Sequence, residues 1–290
     1  MENRIREVKA RIEAACERTG RNPEDITLIA VSKTKPISMI EEAYNLGIDN
    51  FGENKVQELT KKYDELYERY GNAIKWHQIG HLQRNKVKYI VDKVALIHSV
   101  DSLRLGHMIN QEAKKKNVIC DILIQVNVSG EETKNGVEVE ELTPLFMELV
   151  QLPHIRVRGL MTIAPYVLDN EKNRKYFSKL RQLFIDIKTK NIDNVVRYNF
   201  DPNSFDILSM GMTLDYEVAV EEGATMVRVG TGIFGCLGWD IGCRGIGIGG
   251  IGVVGIGEYQ GIHGLNLLNL FGYMEILPSL FFLLVYYVKV

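Results

Sequence analysis

A lysine follows closely on the first strongly apolar segment of the chain. Residues 26–31 read as a buried strand, Lys33 comes two positions later, and Pro36 prevents the strand from continuing. Because an ammonium is costly to desolvate, such a lysine is ion-paired, extends to water, or acts as a nucleophile that forms a Schiff base. Lys35 faces the same side of an extended chain, so both lysines are candidates. Since Lys35 is closer to Pro36 and to the next helix, we expect it to lie nearer to solvent.

Small residues and hydroxyl groups cluster at the ends of the last two predicted strands. Ser209, Gly211 and Thr213 lie at the seventh strand end, and Gly230 and Thr231 follow the eighth. Glycines let backbone N–H groups approach an anion, and hydroxyls and the start of the following helix add further donors. Each glycine alone is equally well explained as a turn residue. Two such turns at the strands that often hold a phosphate in a (β/α)8 barrel favour a phosphate site.

Two further residues complete a candidate cofactor site. Arg228 lies just before the end of the eighth strand, where its guanidinium would point into a barrel mouth and could face a ring nitrogen; a structural ion pair is its usual alternative. A lysine for a Schiff base, a phosphate cradle and this arginine together match pyridoxal 5'-phosphate (PLP). Asn54 follows the second strand beside Glu53, and these two residues either contact a ligand or cap the next helix.

Metal and disulfide sites are not expected from this sequence. His77 and His81 have an i, i+4 spacing, but Gly80 lies between them and the segment reads as a strand that ends in a loop. The four cysteines form no CxxC pair and have no histidines clustered beside them. This cysteine usage is typical of a reducing cytoplasm.

The composition is that of a globular protein with no bias toward a charged partner. The chain has 290 residues, 46% of them hydrophobic, and a formal net charge of −2. This length allows one large domain or two small ones, and the balanced charge gives no reason to expect nucleic-acid binding. The charged, helical pattern of the N-terminal segment does not resemble a signal peptide.

Helical and extended patterns alternate from the start of the chain to about residue 235. The extended segments are predicted at residues 26–31, 50–52, 75–80, 94–100, 120–128, 156–163, 206–211 and 226–230. Intervening helices are predicted at residues 56–70, 82–91, 102–115, 139–151, 172–188 and 215–222. A capping box of Ser38 and Glu41 predicts the start of another, earlier helix. This alternation predicts a single (β/α)8 TIM-type barrel over residues 1–235, with a doubly wound open sheet as the alternative.

The tail at residues 236–290 departs from this pattern. Ile, Val and Gly alternate over residues 242–257, and residues 265–290 are strongly apolar. A marginal transmembrane helix is one interpretation, but the uninterrupted apolar run is short for a membrane span and the longer segment contains asparagines and a glutamate. We expect instead a poorly ordered, aggregation-prone extension or an artefact of a shifted reading frame.

Six short motifs are spread over residues 1–235. They are Ala30-Val31-Ser32-Lys33-Thr34-Lys35-Pro36, Phe51-Gly52-Glu53-Asn54, Trp76-His77-Gln78-Ile79-Gly80-His81-Leu82-Gln83, Arg158-Gly159-Leu160-Met161, Leu208-Ser209-Met210-Gly211-Met212 and Val227-Arg228-Val229-Gly230-Thr231-Gly232-Ile233-Phe234-Gly235. Together these motifs resemble the pyridoxal phosphate homeostasis proteins, also called the YggS-like or proline synthase co-transcribed family. The resemblance implies a barrel like the N-terminal domain of alanine racemase, with PLP held as an aldimine on Lys33. It also implies that the phosphate lies at Ser209, Gly230 and Thr231, and that Arg228 faces the pyridine nitrogen.

The function implied by this resemblance is binding rather than turnover. Family members bind PLP and help to regulate its intracellular supply and the balance of amino acids, with no established reaction. An amino-acid racemase of low specificity is the alternative, but alanine racemases take an opposite-face tyrosine from a second β domain, which the pattern after Gly235 does not provide. The expected partners are PLP and, as further candidates, cofactor-free PLP-dependent enzymes or amino acids. We expect a cytoplasmic monomer that binds no nucleic acid and no membrane unless the tail inserts.

Overall fold

A computed structural model of the chain describes residues 1–131, 135–190 and 201–235. The tail predicted at residues 236–290, and with it the interpretation as a membrane helix, lies outside these ranges. Within them, no helix combines the length and the apolar composition that a membrane span requires.

Eight parallel strands form a closed barrel in the order of the chain. The strands are β1 (Thr27–Val31), β2 (Asn50–Glu53), β3 (Lys75–Gln78), β4 (Leu96–Val100), β5 (Cys120–Gln125), β6 (Ile155–Met161), β7 (Ile207–Met212) and β8 (Met226–Val229). The first and last strands pair from Thr27 with Met226 to Ala30 with Val229. This pairing closes the sheet and rules out the open doubly wound arrangement. The predicted (β/α)8 barrel is confirmed.

α-Helices precede β1 and follow every strand except β3, which a 3-10 segment (Arg84–Tyr89) joins to β4. They are α1 (Glu2–Thr19), α2 (Ile37–Asn45), α3 (Val56–Tyr70), α4 (Leu103–Lys116), α5 (Val139–Leu149), α6 (Arg174–Lys190), α7 (Tyr216–Glu221) and α8 (Thr231–Phe234). The amphipathic pattern explains α1, because its residues Ile5, Val8 and Ile12 are all buried. Gly20 ends that helix with a φ of 66°, a conformation that glycine adopts without steric cost.

Two local predictions about helices are wrong. The helix predicted at residues 82–91 is a 3-10 segment, Arg84–Tyr89. The apolar pattern is real, because Leu82, Val87 and Ile90 are buried. The backbone is wound more tightly than an α-helix, with bonds from the N–H of Lys86 to the oxygen of Gln83 and from the N–H of Ile90 to the oxygen of Val87. The predicted capping box does not open α2, which begins at Ile37 after Pro36 without a side-chain cap bond. Pro36 takes the N-cap position with an extended ψ of 159°, so Ser38 lies inside the first helical turn, where its hydroxyl is not in the N-cap position.

The barrel interior has an apolar layer and a polar layer. Four buried side chains and the partly buried Met226 form a separate apolar cluster; the four are Leu96, Leu123, Met161 and Ile207. His98, Ser209 and Arg228 each come two residues later on β4, β7 and β8 and are also buried. Two residues of a strand span about 7 Å. The polar layer therefore lies one step nearer to the C-terminal mouth, where barrel sites form.

Candidate functional site

Lys33 lies in a tight turn directly after β1. Thr34 follows with a φ of 62°, in the left-handed region that residues with a side chain rarely adopt. Lys33 is exposed, whereas Lys35 is only 8% exposed and donates its Nζ hydrogen to the backbone oxygen of Gly235 at 2.9 Å. The expectation that Lys35 lies nearer to solvent is therefore wrong. The left-handed residue between the two lysines turns the chain, so the alternation of an extended segment does not apply.

Closure of the barrel brings the Lys33 turn next to the end of β8. A Cβ atom placed on Gly230 would lie 3.5 Å from both Cβ and the backbone oxygen of Val31. Gly230 is therefore packed against the last residue of β1, two positions before Lys33. As a result, Lys33 and the residues that follow β8 share one side of the barrel mouth.

Three of the predicted phosphate-site residues are in contact. The amide of Gly230 donates to Oγ1 of Thr213 at 3.2 Å, and the hydroxyl of Thr231 donates to the same oxygen at 3.4 Å. Because Oγ1 of Thr213 accepts both bonds, its own proton is available to donate elsewhere.

Gly211 has a φ of 90°, and a Cβ atom there would lie 2.5 Å from Cβ of Ala219, so this position requires glycine. The structure thus brings the hydroxyls of Thr213 and Thr231 together with the amide of Gly230, at the point where Gly230 packs against Val31.

Arg228 projects into the barrel interior and is 3% exposed. Its Nη1 donates to Oγ of Ser209 at 2.6 Å, and its Nη2 donates to the backbone oxygen of Thr162 at 2.8 Å. Burial lowers the pKa of Arg228 to about 10, so the guanidinium stays charged at neutral pH. The Ser209 hydroxyl is engaged by Arg228 in this structure, and its role at a phosphate stays a prediction.

A chain of hydrogen bonds crosses the barrel interior from Arg228 to Asn50. Oγ of Ser209 lies 3.0 Å from Nδ1 of His98, Nε2 of His98 lies 3.0 Å from Nδ1 of His77, and Nε2 of His77 lies 2.8 Å from Oδ1 of Asn50. Arginine can only donate and the Asn50 oxygen can only accept, so every group between them donates in the same direction. Both imidazoles are neutral in this arrangement, and each carries its proton on Nε2.

Burial keeps both histidines neutral. Desolvation, with a smaller contribution from the positive charge of Lys75, lowers the pKa of His77 to about 4. Desolvation also holds the pKa of His98 well below its usual value, and neighbouring His77 and Arg228 act in the same direction. A proton on Nδ1 of His98 would remove the acceptor of the Ser209 hydroxyl and place a second cation near Arg228. Acid is therefore expected to disrupt the polar layer.

We expect the stability of the barrel to fall as the pH is lowered through the titration range of these histidines. A histidine whose pKa is lowered on folding gives its full stabilisation above its unfolded pKa of about 6.5. As the pH falls below this value the unfolded state takes up a proton first, so the stabilisation from His77 decreases until about pH 4, where the folded state is protonated as well. His77→Gln should reduce the slope of unfolding free energy against pH by up to about 1.4 kcal/mol per pH unit in this window. Urea unfolding at several pH values measures the slope. The exposed His107→Gln should match the wild type, and an unchanged slope in His77→Gln would contradict the assignment.

Glu53 does not cap α3, which has no side-chain cap bond. It is fully buried, and its Oε1 accepts bonds from the hydroxyl of Ser32 at 2.6 Å and from Nζ of Lys62 at 2.7 Å. Desolvation raises the pKa of Glu53, opposed by the bonds from these two partners. Glu53 therefore belongs to a buried polar cluster behind the Lys33 turn.

Asn54 and His81 lie on the rim of the barrel. The backbone oxygen of Asn54 accepts a bond from Nε2 of Gln78 at 2.9 Å, and contact of its side chain with a ligand stays a prediction. His81 is exposed, with Nδ1 3.8 Å from the carboxylate of Asp101, whereas His77 lies inside the barrel. The two histidines do not share a ligand position. Among the described residues, no three metal-ligating side chains converge.

Comparison with known proteins identifies the family. The family described as "Alanine racemase, N-terminal domain" matches residues 5–238. A protein from Aquifex aeolicus (strain VF5), named pyridoxal phosphate homeostasis protein, is 48% identical over 232 residues, which cover 80% of this chain and 96% of that protein. The chain belongs to the pyridoxal phosphate homeostasis protein family. The member from Escherichia coli (strain K12) is 38% identical over 231 residues, covering 80% of this chain and 94% of its own length.

Solved structures agree with this family assignment. PipY of Synechococcus elongatus PCC7942, solved with PLP bound, is 33% identical with a TM-score of 0.64 and covers 78% of this chain and all of its own. A chain described as an unknown protein from Bifidobacterium adolescentis is 35% identical with a TM-score of 0.73, covering 80% of this chain and 94% of its own. Alanine racemase from Clostridium difficile 630 is 17% identical with a TM-score of 0.57, over 82% of this chain and 58% of its own. That likeness shows the barrel fold.

The motifs of the pyridoxal phosphate homeostasis proteins do not by themselves reveal every polar residue near Lys33. Lys62 was not among the predicted site residues, yet it is 5% exposed and bonded to Glu53. A signal was present, because Lys62 continues the buried positions Val56 and Leu59 at a spacing of three. A charged residue on the apolar face of an amphipathic helix needs a buried partner.

Proposed function

We propose that this chain binds PLP covalently and reversibly and thereby carries or regulates the cytoplasmic supply of this cofactor. The observation that carries the proposal is the position of exposed Lys33 beside the donors of Thr213, Gly230 and Thr231, on adjoining strands of one barrel mouth. An amine and an anion-binding cluster are what a phosphorylated aldehyde requires. The names of the relatives and the PLP-bound structure of PipY support the same ligand.

The donor set after β8 fits a phosphate monoester. Thr213 supplies a hydroxyl proton that neither Gly230 nor Thr231 engages, and the Thr231 hydroxyl, which donates to Thr213 only at 3.4 Å, can turn toward a ligand. The N–H groups of Ile233 and Phe234 bond to the oxygen of Gly230, which leaves those of Thr231 and Gly232 as the backbone donors at the start of α8. Gly230 carries no side chain that could shield this backbone, and Gly211 lets β7 pass close to Ala219 and Tyr216 of α7. A phosphate dianion only accepts hydrogen bonds, and the residues present offer hydroxyl and N–H donors, so they match the group.

PLP supplies an aldehyde that can condense with an amine. The deprotonated Nζ of Lys33 would add to the aldehyde carbon, a C=N bond would form, and the aldehyde oxygen would leave as water, with no oxidant or reductant required. Because Lys33 is exposed, water can also reach this bond and reverse its formation. Reversible attachment suits a protein that releases its ligand to other proteins.

Arg228 is proposed to act on the ring nitrogen of PLP. Its charged guanidinium is fixed by Ser209 and the backbone of Thr162, so it would present donors in a set direction. A cationic donor favours an unprotonated ring nitrogen, and this limits how strongly the ring withdraws electrons. Such tuning is consistent with storage of the cofactor, and the names of the relatives support homeostasis as the role.

Labelling of the wild-type chain tests the proposal directly. Addition of PLP should produce the visible absorbance band of a Schiff base, and borohydride reduction followed by peptide mapping should place the label on Lys33. Pyridoxal without a phosphate should bind more weakly, because the Thr213 and Thr231 cluster then has no anion to hold. Absence of the band, or label spread over surface lysines, would contradict the proposed function.

A further inference from the structure

The turn that carries Lys33 is held by α3 on both sides of the lysine. Before Lys33, the backbone oxygen of Ser32 accepts a bond from Nζ of Lys62 at 2.7 Å. After Lys33, the backbone N–H of Thr34 donates to Oε1 of Glu58 at 2.5 Å. Glu58 and Lys62 are one helical turn apart, and Nζ of Lys62 also donates to Oε1 of Glu58 at 2.6 Å. One helix face therefore fixes both peptide groups that flank Lys33.

Lys62 serves as a structural cation in this arrangement. An ammonium has three hydrogens, and three oxygens lie within bonding distance of its Nζ, on Ser32, Glu53 and Glu58. The side chain is 7% exposed and Glu53 is fully buried, so the charge is paired rather than solvated. Its nitrogen has no lone pair with which to attack an aldehyde. Lys62 therefore holds the turn and does not compete with Lys33 as the amine.

The bond to Glu58 also compensates for an unfavourable backbone conformation. Thr34 has a φ of 62°, which crowds Cβ against the backbone in any residue other than glycine. A charge-assisted bond to its N–H group stabilises this conformation. With Thr34 in the left-handed region, Lys33 is exposed, and Lys35 is buried with its Nζ bonded to the backbone oxygen of Gly235. The choice between the two lysines thus depends on this turn.

We propose that Glu58, together with Lys62, is a positioning residue that presents the amine of Lys33 to PLP. This inference rests on the proposed function of Lys33. Loss of the Glu58 carboxylate releases the N–H of Thr34 and one bond of Lys62, so the turn samples other conformations and Lys33 meets the aldehyde less often. The phosphate donors after β8 lie on other elements and keep their geometry.

The test compares covalent and non-covalent ligands in Glu58→Ala, Glu58→Gln and the control Lys61→Ala. Lys61 is the exposed neighbour of Lys62 on the same helix. The covalent probe is PLP, followed by stopped-flow absorbance, and the non-covalent probe is 4-deoxypyridoxine 5'-phosphate, which has the phosphate and ring but no aldehyde. We expect Glu58→Ala to slow covalent capture of PLP by about tenfold or more, as loss of a bond to a charged group implies. Its affinity for the deoxy analogue should equal that of the wild type.

Rescue and a cofactor-free measurement complete the test. Glu58→Gln keeps an oxygen that can accept the Thr34 N–H and should restore most of the capture rate, while Lys61→Ala should behave as wild type. In cofactor-free protein, hydrogen exchange at the Thr34 amide should accelerate in Glu58→Ala by about tenfold.

The outcomes separate this inference from the proposed function. Wild-type capture on Lys33 with an unchanged rate in Glu58→Ala would overturn the positioning role and leave the proposed function standing. Equal weakening of both probes in Glu58→Ala would also overturn it, because that result indicates a general structural role. Failure of the wild type to label Lys33 would overturn the proposed function and, with it, this inference.

Discussion

Lys33→Ala is expected to abolish covalent attachment of PLP. Lys33 is the exposed lysine of the turn beside the Thr213, Gly230 and Thr231 donors, and alanine has no amine to condense with the aldehyde. The visible absorbance band should disappear, and borohydride reduction should leave no label on this peptide. Phosphate and ring contacts do not involve the lysine, so weak, dialysable binding of PLP should remain.

Lys35→Ala is the matched control for that experiment. Lys35 lies two residues away, but its Nζ is buried and donates to the backbone oxygen of Gly235. We expect this variant to keep the absorbance band and the label on Lys33, with a loss of stability from the missing bond. Circular dichroism of both variants establishes that they are folded. A full absorbance band in Lys33→Ala, or a label found on Lys35 in the wild-type protein, would refute the assignment of Lys33 as the amine that binds PLP.

Gly159→Ala should destabilise the barrel more than an ordinary surface or loop substitution. Gly159 of β6 has a φ of 154°, and a Cβ atom there would lie 1.8 Å from the backbone oxygen of Ile207 on β7. The register between β5 and β6 shifts here, because Ile122 pairs with Val157 and Leu123 pairs with Gly159, so the strand is bulged at this point. The clashing atom belongs to the backbone and can move only if the two strands separate. We expect a loss of about 3 kcal/mol or more in the free energy of unfolding.

Gly20→Ala separates this clash from the general cost of replacing a glycine. Gly20 has a φ of 66° and no atom within 4 Å of the added Cβ, so only the backbone conformation is penalised. A loss of about 1–2 kcal/mol is expected there. Urea unfolding curves of both variants and the wild type provide the comparison. Equal losses in the two variants would show that the close approach of β6 and β7 is not limiting.

The architecture could be predicted from local patterns because its elements bury their own apolar residues. A strand such as β4 is buried at all five positions, as expected for a parallel sheet covered on both sides, and α1 buries one helical stripe. Predictions failed where the backbone conformation differed from the one that the local pattern indicated. Pro36 takes the N-cap position of α2, so the predicted capping box at Ser38 does not form. Residues 82–91 bury apolar side chains as expected, but the backbone at Arg84–Tyr89 forms a 3-10 segment instead of an α-helix.

The candidate site was predictable from the sequence as a set of residues at particular strand ends of a barrel. The sequence contains a lysine at the exit of the first strand, and glycines and hydroxyls at the exits of the last two. Their proximity depends on the pairing of β1 with β8, which joins segments about two hundred residues apart in the chain. No local spacing encodes that contact, although the barrel hypothesis implies it.

By itself, the sequence determined the fold class, the family and the residue types available at the barrel mouth, because these follow from periodicity and from short motifs. Only the tertiary structure decided which lysine is exposed, since a single left-handed residue, Thr34, overrides the alternation of an extended chain. It also decided that Ser209 contacts Arg228 and that Lys62 supports the Lys33 turn. The physical reason is that direction and pairing of polar side chains are set by neighbours from distant segments, which compete for the same donors and acceptors inside the barrel.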